Sequence, residues 1–126
     1  MTTKAAETII ASGTNAAGGT TRGTIDLRAV DYGGIVSMKI TNGAAGPTTQ
    51  CEGRVLAAYT DGATPAAAGA GADWKTLFTF GGGTTANKVT EMPYLVDYRI
   101  QHLEIEYTGN TGQGVTVEAV ISKASA

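Results

Sequence analysis

The sequence predicts an all-β protein, an antiparallel β-sandwich or jelly roll of about seven to eight strands with a flexible N-terminal segment. Apolar and polar residues alternate with a period of two in at least four segments, as expected of strands with one buried face. The chain has 126 residues and 18 Gly, a composition that disfavours helices and supplies turns. We divide it into an N-terminal arm or edge strand, residues 1–23, and a single β-sandwich domain, residues 24–126.

The clearest alternation closes the chain. Between residues 102 and 108, apolar side chains alternate with Glu104 and Glu106, and a second alternating run covers residues 115–123. The Gly- and Asn-rich link between the two runs predicts a hairpin with an exposed tip. We place both glutamates on the solvated face of the first strand, and we expect His102 to face solvent beside them.

Earlier segments repeat this pattern. We predict strands over residues 24–30, 35–41, 50–60 and 73–80, and a short strand over 87–92 that Pro93 stops or confines to a sheet edge. The predicted core consists of the inward-facing apolar side chains Ile25, Leu27, Val36, Met38, Ile40, Val55, Trp74, Phe78, Leu103, Ile105, Val115, Val117 and Ile121.

Two segments are predicted to contact other subunits. Ile9 and Ile10 are costly to leave in water, so we give equal weight to a frayed terminus followed by an edge strand and to an arm ordered only on a neighbouring subunit. Deletion of residues 1–19 is expected to leave a folded sandwich that binds its partner poorly. Residues 61–72 are rich in Ala and Gly, which predicts a projecting, mobile loop that is covered after assembly. The candidate interface residues are Ile9, Ile10, Pro65, Ala66, Ala67 and Ala68.

Charge and composition argue against several classes of partner. The formal net charge is -2 and the pI is about 5.2, whereas nucleic acids and anionic membrane surfaces both require a basic face. No apolar run approaches the ~20 residues of a membrane-spanning helix. The single Cys51 excludes an internal disulfide and is consistent with synthesis in a reducing cytosol. We therefore expect neither a nucleic acid nor a membrane as partner.

No motif in the sequence indicates catalysis. Cys51 and His102 are the only residues of their types, whereas a structural zinc site needs four such ligands. A nucleophilic pair of these two residues would also need an orienting partner and an oxyanion hole. Glu104 and Glu106 are of the type used in glycoside hydrolysis, but a solvated strand face explains both. We predict a non-enzymatic protein without catalytic residues, cofactor or metal.

Short pieces of sequence between residues 25 and 119 together form a more specific pattern. The pieces are Ile25-Asp26-Leu27-Arg28, Ile40-Thr41-Asn42-Gly43, Gly46-Pro47-Thr48, Trp74, Pro93, Gly109-Asn110-Thr111-Gly112 and Val115-Thr116-Val117-Glu118-Ala119. In order and composition they resemble small β-sandwich virion proteins of tailed bacteriophages, of the capsid decoration or cement type. The resemblance implies a non-enzymatic virion protein, made in the host cytoplasm, that binds the major capsid protein and copies of itself as a homo-oligomer.

Three alternatives remain open. The chain could be another head or tail accessory protein, or a carbohydrate-binding β-sandwich module, and a small hydrolase ranks last. Carbohydrate-binding modules present aromatic side chains on a flat face. The aromatic residues considered for that role are Tyr59, Trp74, Tyr94, Tyr98 and Tyr107. Most of them fall in alternating core positions of the predicted strands.

Overall fold

A computed structural model, which describes residues 1–59 and 74–126, contains eight β-strands in two antiparallel sheets. The strands are β1 (Thr3–Asn15), β2 (Thr21–Asp26), β3 (Gly34–Asn42), β4 (Glu52–Ala58), β5 (Trp74–Gly81), β6 (Val89–Val96), β7 (His102–Thr108) and β8 (Val115–Ser125). The predicted all-β sandwich is confirmed. The described residues include no helix long and apolar enough to cross a membrane.

The order of the strands is that of a jelly roll. Sheet A has the order β1-β8-β3-β6 and sheet B the order β2-β7-β4-β5. β1 pairs with β8, β2 with β7, β3 with β6 and β4 with β5, the pairing produced when one long antiparallel hairpin is rolled into two sheets. The β1–β2, β3–β4, β5–β6 and β7–β8 connections meet at one end, the loop end. The β2–β3 and β6–β7 connections and both chain termini lie at the other, the terminal end.

The core lies between the two sheets and is built as the alternation predicts. All the predicted core residues except the two on β5 belong to one buried cluster. These residues are Ile25, Leu27, Val36, Met38, Ile40, Val55, Leu103, Ile105, Val115, Val117 and Ile121. The inner faces of both sheets therefore follow directly from the period of two.

Trp74 lies elsewhere than predicted because β5 contains a bulge. Val55 pairs with Phe78, but the next residue of β4, Leu56, pairs with Thr76, so one intervening residue of β5 has no direct partner. The alternation of faces changes there. Trp74 is buried with Leu56 in a second, smaller cluster on the outer face of sheet B, whereas Phe78 is partly buried against the main core.

The N-terminal segment contains an ordered edge strand, which was one of the two alternatives predicted for residues 1–23. β1 is 13 residues long and pairs with β8 of the same chain over its whole length. Bulges on either side of Ile10 interrupt the pairing, and such irregularities discourage pairing of an edge strand with a second chain. β1 also packs closely on β2, since a Cβ at Gly23 would lie 2.5 Å from the carbonyl oxygen of Ile9. β1 is therefore paired within its own chain, and a contact of this segment with a neighbouring subunit stays a prediction.

Buried asparagines hold the loop end together. Asn15 Nδ2 donates to Asn110 Oδ1 at 2.6 Å, and Asn110 Nδ2 donates to the carbonyls of Asn15 at 3.1 Å and Gln113 at 3.0 Å. Asn42 Nδ2 donates to three carbonyls of the β5–β6 connection. The β7–β8 link was predicted to be an exposed tip. Asn110 in this link is fully buried, so only part of the link is exposed.

Candidate functional site

The polar face of β7 is buried, contrary to the prediction. The relative solvent-accessible surface areas of His102, Glu104 and Glu106 are only 1%, 2% and 6%. β7 lies inside sheet B between β2 and β4, so its outward side chains have neighbours on both sides. The prediction that His102 and the two glutamates face solvent is therefore wrong.

Ion pairs across three strands neutralise the buried carboxylate of Glu106. Its Oε2 accepts from Arg22 Nε at 3.0 Å, and its Oε1 accepts from Arg54 Nη1 at 3.3 Å. Arg54 Nη2 also donates to Glu52 at 3.0 Å. A buried charge is tolerated when it is paired and hydrogen-bonded in this way. The arrangement links β2, β7 and β4 and explains how the charge of Glu106 is accommodated on a buried face.

Cys51 and His102 do not form a nucleophilic pair. Cys51 precedes Glu52, which pairs with Thr108 at one end of β7, whereas His102 begins the other end of that strand. Burial raises the pKa of the Cys51 thiol to about 11, which makes a reactive thiolate unfavourable. Within residues 1–59 and 74–126, no three His, Cys, Asp or Glu side chains come together as a metal site.

Two of the predicted interface residues lie in or against the core, and the other four lie outside the residues that the structure describes. Ile10 is 6% exposed and belongs to the main core, and Ile9 is partly buried against it. Pro65, Ala66, Ala67 and Ala68 lie outside the described residues. The interface role of these residues stays a prediction.

A group of exposed apolar side chains lies on the outer face of sheet A at the terminal end. Leu95 and Ile35 are cross-strand partners on β6 and β3 and are 75% and 48% exposed. Tyr32 and Tyr98, 56% and 63% exposed, lie at the same end in the β2–β3 and β6–β7 connections, whose backbones pack together at Gly33. We call Tyr32, Ile35, Leu95 and Tyr98 the Leu95 patch. The signal in the sequence was Ile35 on the side of β3 that otherwise carries Ser37 and Lys39, whereas the short strand predicted over 87–92 ended before Leu95.

A groove opens at the same end of the sandwich, beside the last residues of β6. It has a volume of about 430 Å³ and is lined by Tyr59, Leu77, Tyr94, Asp97, Arg99 and Ile100. Tyr59 is 53% exposed, whereas Tyr94 is half-buried, its ring stacked on Phe78 with 5.6 Å between the centroids. The expectation that the aromatic residues occupy the core therefore holds for Tyr107 but not for Tyr59.

The polar rim of the groove is a charge-matched pair. Asp97 Oδ1 accepts from the backbone N–H and the Nε of Arg99, both at 2.9 Å, and Asp97 Oδ2 accepts from Nη2 at 3.1 Å. The hydrogen bond from the Arg99 side chain is the main reason why the pKa of Asp97 is lowered to about 2. The Arg99 guanidinium also lies 5.7 Å from the ring centroid of Tyr98, a cation–π contact.

Comparisons with known proteins identify the fold. No protein-family model matches the sequence, and no curated protein does. Among solved structures, the chain is similar to the K3 cleaved adhesin domain of Lys-gingipain from Porphyromonas gingivalis W83, with a TM-score of 0.64, 10% identity and coverage of 88% of this chain and 72% of that one. It is also similar to a chain of the T=1 particles derived from infectious bursal virus, with a TM-score of 0.53, 11% identity and coverage of 98% and 32%.

A third similar structure is a family 29 carbohydrate-binding module from Piromyces equi, with a TM-score of 0.50, 11% identity and coverage of 98% of this chain and 91% of that one. At identities of 10–11% these likenesses establish a shared fold only. The chain is a β-sandwich of a kind found both in virus particles and in binding modules.

Proposed function

We propose that this chain is a non-enzymatic structural protein of a bacteriophage virion, a capsid decoration or cement protein that binds and stabilises the shell of major capsid subunits. The observation that carries the proposal is the Leu95 patch. Adjacent exposed apolar and aromatic side chains are typical of surfaces that bind another protein. Similarity to a chain of virus-derived particles is compatible with a virion location.

The patch is suited to binding through side chains. Ile35 and Leu95 are fixed on paired strands, so ordering them costs little conformational entropy on binding. β6 is an edge strand, but Pro93 has no N–H to offer to an added strand. We therefore infer that the shell contacts the terminal end of the outer face of sheet A, at Ile35 and Leu95, and that it does not extend the sheet at β6.

Each copy gains a modest affinity from this contact. Complete burial of Leu95, which is 75% exposed, contributes about 1–2 kcal/mol. Copies that also bind one another as a homo-oligomer attach at several points, and linked weak contacts strengthen overall binding without further contacts per copy.

Co-sedimentation with assembled shells tests this proposal. The shells are made from the major capsid protein of the genome that encodes the chain. Wild-type protein is expected to sediment with them, and Leu95→Ser is expected to weaken binding about tenfold, the equivalent of about 1.4 kcal/mol. Val89→Ser is a matched control, since Val89 is an exposed apolar residue of the same strand, 51% exposed. Absence of wild-type binding, or equal binding by Leu95→Ser, would overturn the proposal.

Two alternatives are kept. Attachment to another part of the head or tail would place the chain in a different fraction when virions are separated into heads and tails. A carbohydrate-binding function is favoured by one specific observation, the exposure of Tyr59 at an open groove.

A further inference from the structure

We propose that the groove beside β6 binds one pyranose ring of a neutral glycan, with Tyr59 and Tyr94 as the packing surface and Asp97 and Arg99 as the hydrogen-bonding rim. The groove does not include Ile35 or Leu95, although its Arg99 contacts the ring of Tyr98 in the Leu95 patch, and sugar binding there adds a function to shell attachment.

The size and lining of the groove fit a small ligand. Its volume of about 430 Å³ falls within the roughly 300–1,000 Å³ of known small-molecule sites. Leu77 and Ile100 supply apolar wall, and the two tyrosines add aromatic surface. Such sites combine mainly apolar walls with a few converging polar groups, which is the composition found here.

The two tyrosines provide the surface that a sugar ring needs. A pyranose has a face of C–H groups that packs on an aromatic ring, and tyrosine offers a large apolar area with a hydroxyl at its edge. Tyr94 is held on β6 by its stacking on Phe78, so little order has to be gained on binding. Burial raises the pKa of Tyr94, and the negative charge of Asp97, with that of Tyr59 once it ionises, raises it further.

The rim matches the hydroxyls of a neutral sugar. Each sugar hydroxyl both donates and accepts, and the rim contains a carboxylate that accepts and a guanidinium that donates. Asp97 engages Nε and Nη2 of Arg99, and no described residue is seen to bond its Nη1. The two side chains are partly exposed, at 46% and 74%, and remain within reach of a ligand. Because their charges cancel, an anionic sugar or a phosphate gains no net attraction.

The test is a nuclear magnetic resonance titration of the full chain with methyl pyranosides of glucose, galactose, mannose and N-acetylglucosamine. At least one pyranoside is expected to shift the amide signals of Tyr59 and of residues 94–100, with a Kd near the ~1 mM that corresponds to about 4 kcal/mol. Tyr59→Ala is expected to weaken this binding about tenfold or more. Tyr32→Ala, a tyrosine of similar exposure outside the groove, is expected to leave it unchanged.

The result separates this proposal from shell attachment. Tyr59→Ala is expected to lose the sugar and keep the shell, whereas Leu95→Ser is expected to do the reverse. The sugar proposal is overturned if none of the four pyranosides shifts these signals, or if Tyr59→Ala and Tyr32→Ala bind equally. Stronger binding of an anionic probe, methyl glucuronide, than of every neutral pyranoside would also overturn it.

Discussion

Replacement of Tyr107 by Phe removes a hydroxyl that joins the two sheets across the core. Tyr107 lies on β7 of sheet B and is fully buried, but its hydroxyl reaches sheet A. There it accepts the backbone N–H of Lys39 at 3.3 Å and donates to the carbonyl of Glu118. Lys39 and Glu118 are partners in the β3–β8 ladder. Burial raises the pKa of this phenol, so the hydroxyl keeps the proton that it donates.

The expected loss of stability follows from these two hydrogen bonds. Each contributes about 0.5–1.5 kcal/mol net, and the phenyl ring of the variant still fills the core. The Tyr107→Phe variant should therefore be less stable by about 1–3 kcal/mol. For a chain of 126 residues, this corresponds to a fall in Tm of roughly 3–12 °C.

Thermal denaturation followed by circular dichroism measures this difference. Tyr94→Phe is the matched control, because it removes a hydroxyl from a half-buried tyrosine at the groove and should change stability by less than about 0.5 kcal/mol. If the two variants melt at the same temperature, the hydroxyl of Tyr107 does not link the sheets in the way that its contacts indicate.

The remaining predictions concern the thiol, the N-terminal strand and one carboxyl. Cys51, buried with a pKa of about 11, should resist iodoacetamide at pH 8 until the protein unfolds; rapid labelling of the native protein would contradict its burial. Deletion of residues 1–19 removes β1 and Ile10, and loss of the isoleucine alone costs about 2–5 kcal/mol, so a truncated chain with the wild-type Tm would contradict the observed role of β1. The pKa of Asp97 is depressed to about 2, so the stability from its bonds to Arg99 is present above the unfolded value of about 3.9 and is lost as the pH falls through 2; a carboxyl titration midpoint near 3.9 would show that these bonds do not persist in solution.

The inner faces of the sandwich could be predicted because burial on one side imposes a period of two. Val36, Met38 and Ile40 alternate without interruption, and all three are fully buried. The bulge in β5 has no comparable signal. It shifts Trp74 to the opposite face, and the alternating letters of the segment give no sign of the extra residue.

The outer faces could not be read in the same way. A period of two identifies the side chains that share a face, but not the neighbours that the face acquires. Glu106 is buried because the fold places Arg22 and Arg54 on both sides of it, from strands far apart in sequence. An edge strand was one of two alternatives for residues 1–23, but the 13-residue length of β1 could not be read, because its small and polar residues carry a weak pattern and pairing with β8 supplies the order.

The Leu95 patch and the groove differ in how far the sequence could predict them. Ile35 stands in the sequence as an apolar residue on the polar side of a predicted strand, whereas Leu95 lies beyond the strand predicted over 87–92. Their pairing on β3 and β6 makes them one surface. The groove joins Tyr59, which follows β4, to Tyr94 and Arg99, which lie on β6 and on the connection after it. Such a meeting of distant segments depends on the jelly-roll connections and has no local signature.

The orientation of the chain on an assembled shell tests the central claim most directly. Electron cryomicroscopy of shells of the major capsid protein incubated with the chain should show the jelly roll bound through the outer face of sheet A, with Ile35 and Leu95 at the contact. Shells without additional density, or with the chain bound through sheet B and the Leu95 patch exposed to solvent, would contradict it.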